Sequence, residues 1–191
     1  MEVDETPLSD PEIAAIVRRI DRPVVLVGMM GVGKSSVGKR LAGLLHCPFI
    51  DADDAIEEAA QMTIPEIFAA HGEPYFRDGE RRVIARLIER GGQRQVIATG
   101  GGAFCDPRTR ALILDKTISV WLDSDVDTLV ERTARKDNRP LLKQGNPREI
   151  LARLREERRP AYEQAAIHVI SGNGPHSRAV MQVLKGIGAW L

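Results

Sequence analysis

The chain is expected to form a three-layer α/β/α fold around a five-stranded parallel sheet, and three observations carry that expectation. Short apolar runs of strand length alternate with segments of helical periodicity along the whole chain. The run Val24–Val27 is apolar at every position, as a parallel strand covered on both faces must be. It leads into a glycine-rich loop and then a helix, so a strand ends where a ligand of an open α/β sheet binds.

Composition narrows the class of protein. With 191 residues, 43% of them apolar, the chain can bury one full core. Its 27 basic and 27 acidic side chains cancel, which argues against a nucleic acid or an anionic membrane as partner and leaves anion selectivity to local arginines. Cys47 and Cys105 lie far apart without C-x-x-C spacing and read as core thiols of a reducing compartment. His46, His71, His168 and His176 show no metal-ligand spacing. No run reaches the length of a membrane span and the N-terminus is acidic, so a soluble, cytoplasmic protein is expected.

Taken in order, residues 1–10 are polar and acidic, and Ser9-Asp10-Pro11-Glu12 reads as the cap and first turn of a short helix ending near Arg19. After the first strand, a helix to Leu45 carries Val37, Leu41, Leu44 and Leu45 on one stripe. Pro48–Asp51 reads as a second strand, with Asp53 capping a helix through Ala60. A further helix begins at Ile64 and ends at Gly72, and a long one runs from about Pro74 to Arg90, where Gly91-Gly92 stops it. Gln95–Ala98 and Thr117–Leu122 are the third and fourth strands, separated by a helix over Pro107–Leu114. Asp125 caps a helix through about Ala134. The polar stretch Arg135–Arg148 is long enough for a mobile lid. An arginine-rich helix from Pro147 to Tyr162, a fifth strand at Ile167–Ile170, a tight loop at 171–175 and a closing helix Ser177–Leu191 complete the chain.

The chemistry starts at Gly28-Met29-Met30-Gly31-Val32-Gly33-Lys34-Ser35, which matches G-x-x-x-x-G-K-[ST] in full between a strand and a helix. Its glycines let successive N–H groups point at a polyphosphate, and the helix adds its positive end. Lys34 suits the β/γ-phosphates and the Ser35 hydroxyl suits Mg²⁺, a hard cation that takes oxygen ligands. A nucleoside triphosphate site follows. Asp51 and Asp53 flank Ala52 at the next strand end, so one carboxylate can face the metal while the other orients an acceptor hydroxyl and takes its proton; the plainer reading is simple capping by Asp53. Arg77, after Phe76, suits a two-pronged grip on a carboxylate, although by itself it reads as a solvated charge, as do Arg153, Arg155, Arg158 and Arg159. Thr99-Gly100-Gly101-Gly102 suggests close approach of backbone to a ligand or to the phosphate loop. Arg139 in the lid can swing over a transferring phosphoryl group.

In this order and spacing, Gly28–Ser35, Asp51-Ala52-Asp53, Phe76-Arg77 with Glu80, Gly100-Gly101-Gly102, Arg139-Pro140-Leu141-Leu142 and Arg158-Arg159-Pro160-Ala161-Tyr162 resemble the shikimate kinase family, over about residues 22–180. The resemblance implies a P-loop kinase fold of the nucleoside-monophosphate-kinase type with a mobile lid. It also implies transfer of the ATP γ-phosphate to the 3-hydroxyl of shikimate, with Mg²⁺, in aromatic amino acid biosynthesis. Carried over by position, Asp53 would hold the acceptor hydroxyls and serve as base, with Lys34 and Arg139 as the other catalytic residues. Arg77, Arg158 and the Gly101 N–H would bind shikimate, and Ser35 and Asp51 would serve the metal. Gly31, Val32, Gly33, Lys34, Ser35, Ser36, Arg132 and Arg139 would bind ATP, with the 171–175 loop beside the adenine.

Residues 1–21 then form an extension, residues 22–191 the kinase domain with its lid at about 135–148, and a monomer is the simplest assembly. Met30, the Asp78-Gly79 pair and Ala161 depart from the usual pattern without touching a residue with a proposed polar role. A gluconate or nucleoside monophosphate kinase shares the fold and the phosphate loop; the two arginines for a carboxylate together with Asp51-Ala52-Asp53 argue against it, since a nucleobase acceptor would not need them. A non-catalytic sensor on the same scaffold would be expected to have lost at least one of Lys34, Ser35, Asp51, Asp53 and Arg139, all of which are present.

Overall fold

The computed structural model of the chain describes residues 8–90, 94–135, 142, 145–172 and 174–191. Val24–Val27 (β1) lies fully buried at the centre of a five-stranded sheet with Phe49–Asp51 (β2), Val96–Ala98 (β3), Ile118–Asp123 (β4) and Ile167–Ile170 (β5), in the order β2-β3-β1-β4-β5. All pairings are parallel, with Leu26 opposite Ala98 on one side and Val120 on the other. From β1 the chain crosses to the edge strand β2, returns to β3 beside β1 and then passes to β4 and β5 on the other side, so the phosphate loop leaves the sheet where the winding reverses and a crevice opens. Edge position shows in β5, where Ile167 and Val169 face the core while Ile170 is exposed.

Eight helices surround the sheet among the described residues: Asp10–Arg19 (α1), Lys34–Leu45 (α2), Ala52–Ala60 (α3), Ile64–Arg90 (α4), Pro107–Lys116 (α5), Val126–Ala134 (α6), Pro147–Tyr162 (α7) and His176–Trp190 (α8). Helix α2 buries Val37, Gly38, Leu41, Ala42 and Leu45, close to the apolar stripe expected of it. The Asp106 side chain accepts the Thr109 N–H at the start of α5, and Asp125 does the same for Thr128 in α6. Helix α1 is not a detached tail: it packs on α8, Ile13, Ile16 and Val17 reach the main core, and Arg94 Nη1 donates to the Val17 carbonyl at 3.0 Å.

The apolar interior has two parts. The main core runs along both sides of β1 and includes Leu26, Leu41, Ile97, Leu122 and Leu184. A smaller cluster of Ile56, Ile67, Phe76 and Val83 joins α3 to α4. This second cluster sets the height of Arg77, the residue that follows Phe76.

Several expectations need correction. Asp51, not Asp53, caps α3: its side chain accepts the Asp53 N–H at 3.1 Å, which frees the Asp53 carboxylate from a capping role. A 3-10 turn at Ala103–Cys105 was not foreseen, because a three-residue turn has no periodicity to read. Cys47 and Cys105 are half-buried rather than core thiols. The expected lid lies largely outside the described residues, with Arg139, Pro140 and Leu141 among those excluded, as do the Gly91-Gly92 stop and Asn173.

The expected break at Gly72 is present as a bend inside α4, with φ 78° and ψ 176°, a region essentially closed to any residue with a Cβ. Gly79, further along the same helix, has open space where a Cβ would stand. The two glycines therefore predict opposite outcomes in urea unfolding. Gly72→Ala lowers stability by about 1–3 kcal/mol, whereas Gly79→Ala raises it by up to about 1 kcal/mol. Equal effects of one sign would contradict this account of the bend.

Candidate active site

At the end of β1 the chain turns through Gly28 at φ 137° into the phosphate loop. A Cβ on Gly28 would stand 2.2 Å from the Leu122 carbonyl oxygen, so only glycine lets the loop lie against the end of β4. Gly33, at φ 102°, forms the left-handed N-cap of α2, so the positive end of that helix adjoins the loop. Lys34 folds back over the loop, its Nζ donating to the carbonyls of Gly28 at 2.7 Å and Met29 at 2.9 Å. The Val32 side chain is buried, so what it presents to a ligand is backbone, while Ser36 is exposed on the first turn of α2.

The loop is held from its far side as well. Arg132 on α6 donates through Nη1 to the Val32 carbonyl at 3.0 Å and through Nη2 to the Gly172 carbonyl at 2.7 Å. Ser171 Oγ donates to the same Val32 oxygen at 3.3 Å. These bonds join α6, the loop after β5 and the phosphate loop into one unit. His176 closes it: its ring is the nearest neighbour of the Gly33 Cβ position, and its buried Nδ1 has no hydrogen-bond partner among the described residues. Burial, then the nearby Arg132 and Arg40, hold this imidazole below its usual pKa and therefore neutral at pH 7. Sequence reading passed over His176 as an ordinary histidine; its place directly after the 171–175 loop was the available signal.

Beside the loop, Ser35 Oγ donates to Asp51 Oδ2 at 2.8 Å. A hydroxyl and a carboxylate adjoining a polyphosphate cradle are the hard oxygen donors that suit Mg²⁺, which keeps most of its shell as water and phosphate oxygen. No group of three or more His, Cys, Asp or Glu among the described residues is arranged to hold a metal by itself. The Asp53 carboxylate lies two residues on, in the first turn of α3. Burial first, then the neighbouring Asp51 charge, push its pKa up, against the opposing pull of Lys34. Both Asp53 Oδ1 and Glu80 Oε1 approach the Cβ position of Gly100, at 3.0 and 3.1 Å, so the first glycine of the triplet makes room for two carboxylates.

The other two glycines serve arginines. A Cβ on Gly101 would stand 2.9 Å from Arg158 Nη1, and one on Gly102 would stand 2.7 Å from Arg77 Nη2. Gly101 also lies near Met30 N and Gly28 O, which meets the expectation of close approach to the phosphate loop. Arg77 Nη1 donates to Glu80 Oε2 at 2.7 Å, and its Nε and Nη2 both donate to Glu73 Oε1 at 3.3 Å. Arg158 Nη1 is buried with no hydrogen-bond partner among the described residues. The Tyr162 hydroxyl donates a very short hydrogen bond to the Gly101 carbonyl, and burial raises its pKa far beyond the physiological range. Between the two arginines opens a cleft of about 420 Å³, lined by Glu73, Arg77, Cys105, Asp106, Glu157 and Arg158.

The structure thus gathers Lys34, Ser35, Asp51, Asp53, Arg77, Gly101, Arg132 and Arg158 along the carboxyl ends of the strands; Arg139 lies outside the described residues. Arg155, read from sequence as a solvated charge, instead grips Asp123 at the end of β4 through Nε at 3.2 Å and Nη2 at 3.0 Å, which fixes α7 and the Arg158 it carries. Nothing in the spacing of so many arginines on one helix singled it out.

The family model described as "Shikimate kinase" matches residues 30–187. A shikimate kinase of Novosphingobium aromaticivorans is 66% identical over the whole of both chains, and one of Caulobacter vibrioides is 55% identical over 87% of this chain and 82% of its own. The solved shikimate kinase from Acinetobacter baumannii in complex with shikimate superposes with a TM-score of 0.79 at 38% identity, over 86% of this chain and 90% of the other. By the family model, by identity to these relatives and by fold, the chain belongs to the shikimate kinase family.

Proposed function

We propose a residue-level account of the shikimate kinase reaction in this chain, in which the γ-phosphate of ATP passes to the 3-hydroxyl of shikimate to give shikimate 3-phosphate and ADP. The observation that carries it is the meeting, at the carboxyl ends of the strands, of a phosphate loop, a carboxylate of raised pKa and a cleft between two arginines. The N–H groups of Gly31, Val32 and Gly33, with Ser35 and Ser36, receive the phosphates, and Lys34 exchanges its loop carbonyls for β/γ-phosphate oxygens. Arg132 and the loop after β5 flank the adenine, with neutral His176 beneath the loop. Arg77, Arg158 and the Gly101 N–H hold the shikimate carboxylate at the far end of the cleft.

Asp53 then faces the ring hydroxyls. Its carboxylate accepts the 3-hydroxyl proton as that oxygen bonds to the γ-phosphorus, and the bond from this phosphorus to the bridging oxygen breaks to release ADP. Ser35 and Asp51 are the residues that would hold Mg²⁺, which when bound neutralises charge on the phosphates. By its place in the family pattern Arg139 contacts both substrates from the lid. Residues 1–21 are an extension whose helix is docked on α8, and the chain acts as a monomer in the cytoplasm; no helix among the described residues is long and apolar enough to cross a membrane.

Replacing the base separates chemistry from stability. Asp53→Asn lowers kcat by about 10²–10⁴-fold while ATP affinity stays near wild type. A carboxylate whose folded pKa is raised loses stability as pH rises from its unfolded pKa through its folded one, so the ionised group is a net cost at pH 7. The same variant therefore unfolds at a higher urea concentration than wild type, and the wild-type acid limb of kcat/KM for shikimate falls at a pH above an ordinary aspartate's. A normal turnover rate, or loss of ATP binding, would contradict the assignment. Arg77→Ala raises the KM for shikimate at least tenfold with little effect on the KM for ATP, and an unchanged shikimate KM would remove Arg77 from the carboxylate site.

A further inference from the structure

The two carboxylates on Arg77 are not equivalent. Glu80 is 3% exposed, sits on the same helix one turn away and takes Nη1 at 2.7 Å. Glu73 is 64% exposed, follows the Gly72 bend, and offers a single oxygen to Nε and Nη2 at 3.3 Å each. The first is a tight, buried, charge-assisted bond; the second is a long, shared and solvent-exposed one. The Nε/Nη2 edge is also the edge of a guanidinium that a carboxylate grips with two parallel bonds, and Glu73 uses only one oxygen there. Across the cleft, Arg158 Nη1 is buried without a partner among the described residues.

We infer that Glu73 is a placeholder for the substrate carboxylate: it occupies the Nε/Nη2 edge of Arg77, keeps the guanidinium aimed into the cleft, and is exchanged for the carboxylate of shikimate on binding. Glu80 keeps its hold on Nη1 throughout, so Arg77 does not change position when its outer partner changes. Glu73 thereby sets shikimate affinity by competing for one of the two arginines. Glu73 and Arg77 are an i,i+4 pair on the helical segment that follows the Gly72 bend, so the helix itself holds Glu73 over Arg77. This inference rests on the reading of Arg77 and Arg158 as the carboxylate clamp.

The test is steady-state kinetics on the full chain at saturating MgATP, comparing wild type with Glu73→Gln, Glu157→Gln and Arg77→Ala. The displaced contact is a weak, exposed ion pair, so Glu73→Gln lowers the shikimate KM roughly two- to fivefold while kcat and the ATP KM stay unchanged. Glu157→Gln removes the same charge from the cleft without touching Arg77 and lowers the shikimate KM less than Glu73→Gln does. The uncharged methyl ester of shikimate, used as a competitor, gains no affinity in Glu73→Gln. An unchanged or raised KM in Glu73→Gln overturns the inference, as does an equal fall in Glu157→Gln or an equal gain for the ester. Should Arg77→Ala leave the shikimate KM unaltered, the clamp itself falls; a raised KM there with no fall in Glu73→Gln keeps the clamp and removes only the placeholder.

Discussion

The closeness of Gly28 to the Leu122 carbonyl is the constraint from which the site follows. Because no Cβ fits between them, the phosphate loop lies flat on the end of β4, directly above the most buried strand of the sheet. That contact fixes the direction in which α2 leaves and hence where its positive end and Lys34 face. Arg132 and Ser171 then meet at one carbonyl, that of Val32, and lock the loop from the other side. Within the loop, the Val32 N–H donates to the Met29 carbonyl at 3.3 Å and Lys34 Nζ to the Gly28 and Met29 carbonyls, so its donors are held by the loop itself.

The substrate side is built on different physics. Here the fixed element is a small apolar cluster between α3 and α4, and the polar groups stand on its rim. Two acids, Asp53 and Glu80, share the space left by Gly100, and burial raises the pKa of both. Arg77 offsets this for Glu80, and Lys34 does so in part for Asp53. Two buried acids of raised pKa side by side are an unfavourable arrangement of charge, of the kind that clusters at functional sites.

How legible was this in the sequence? The sheet, the phosphate loop, the limits of α6, α7 and β5, and the break at Gly72 follow from rules that act over a few residues: apolar runs, caps and glycine positions. The triple glycine announced close contact, and its neighbours are the loop and the two arginines. What escaped reading depends on residues far apart in the chain. Arg155 finds Asp123 across 32 positions, and His176 meets Gly33 across the whole nucleotide side. The capping of α3 was misassigned between Asp51 and Asp53 because both sit where a cap is plausible, and only the backbone direction at the end of β2 decides between them. The lid arginine, Arg139, lies outside the described residues, and its role rests on the family pattern alone.

The measurement that tests the central claim most directly is ADP release from MgATP with a panel of acceptors: shikimate, quinate, gluconate and the nucleoside monophosphates. The proposed reaction, with Arg77 and Arg158 on the carboxylate and Asp53 on the ring hydroxyls, predicts turnover with shikimate that far exceeds every other acceptor. Comparable turnover with gluconate or a nucleoside monophosphate, or nucleotide binding with no turnover on any acceptor, would contradict the account of the cleft.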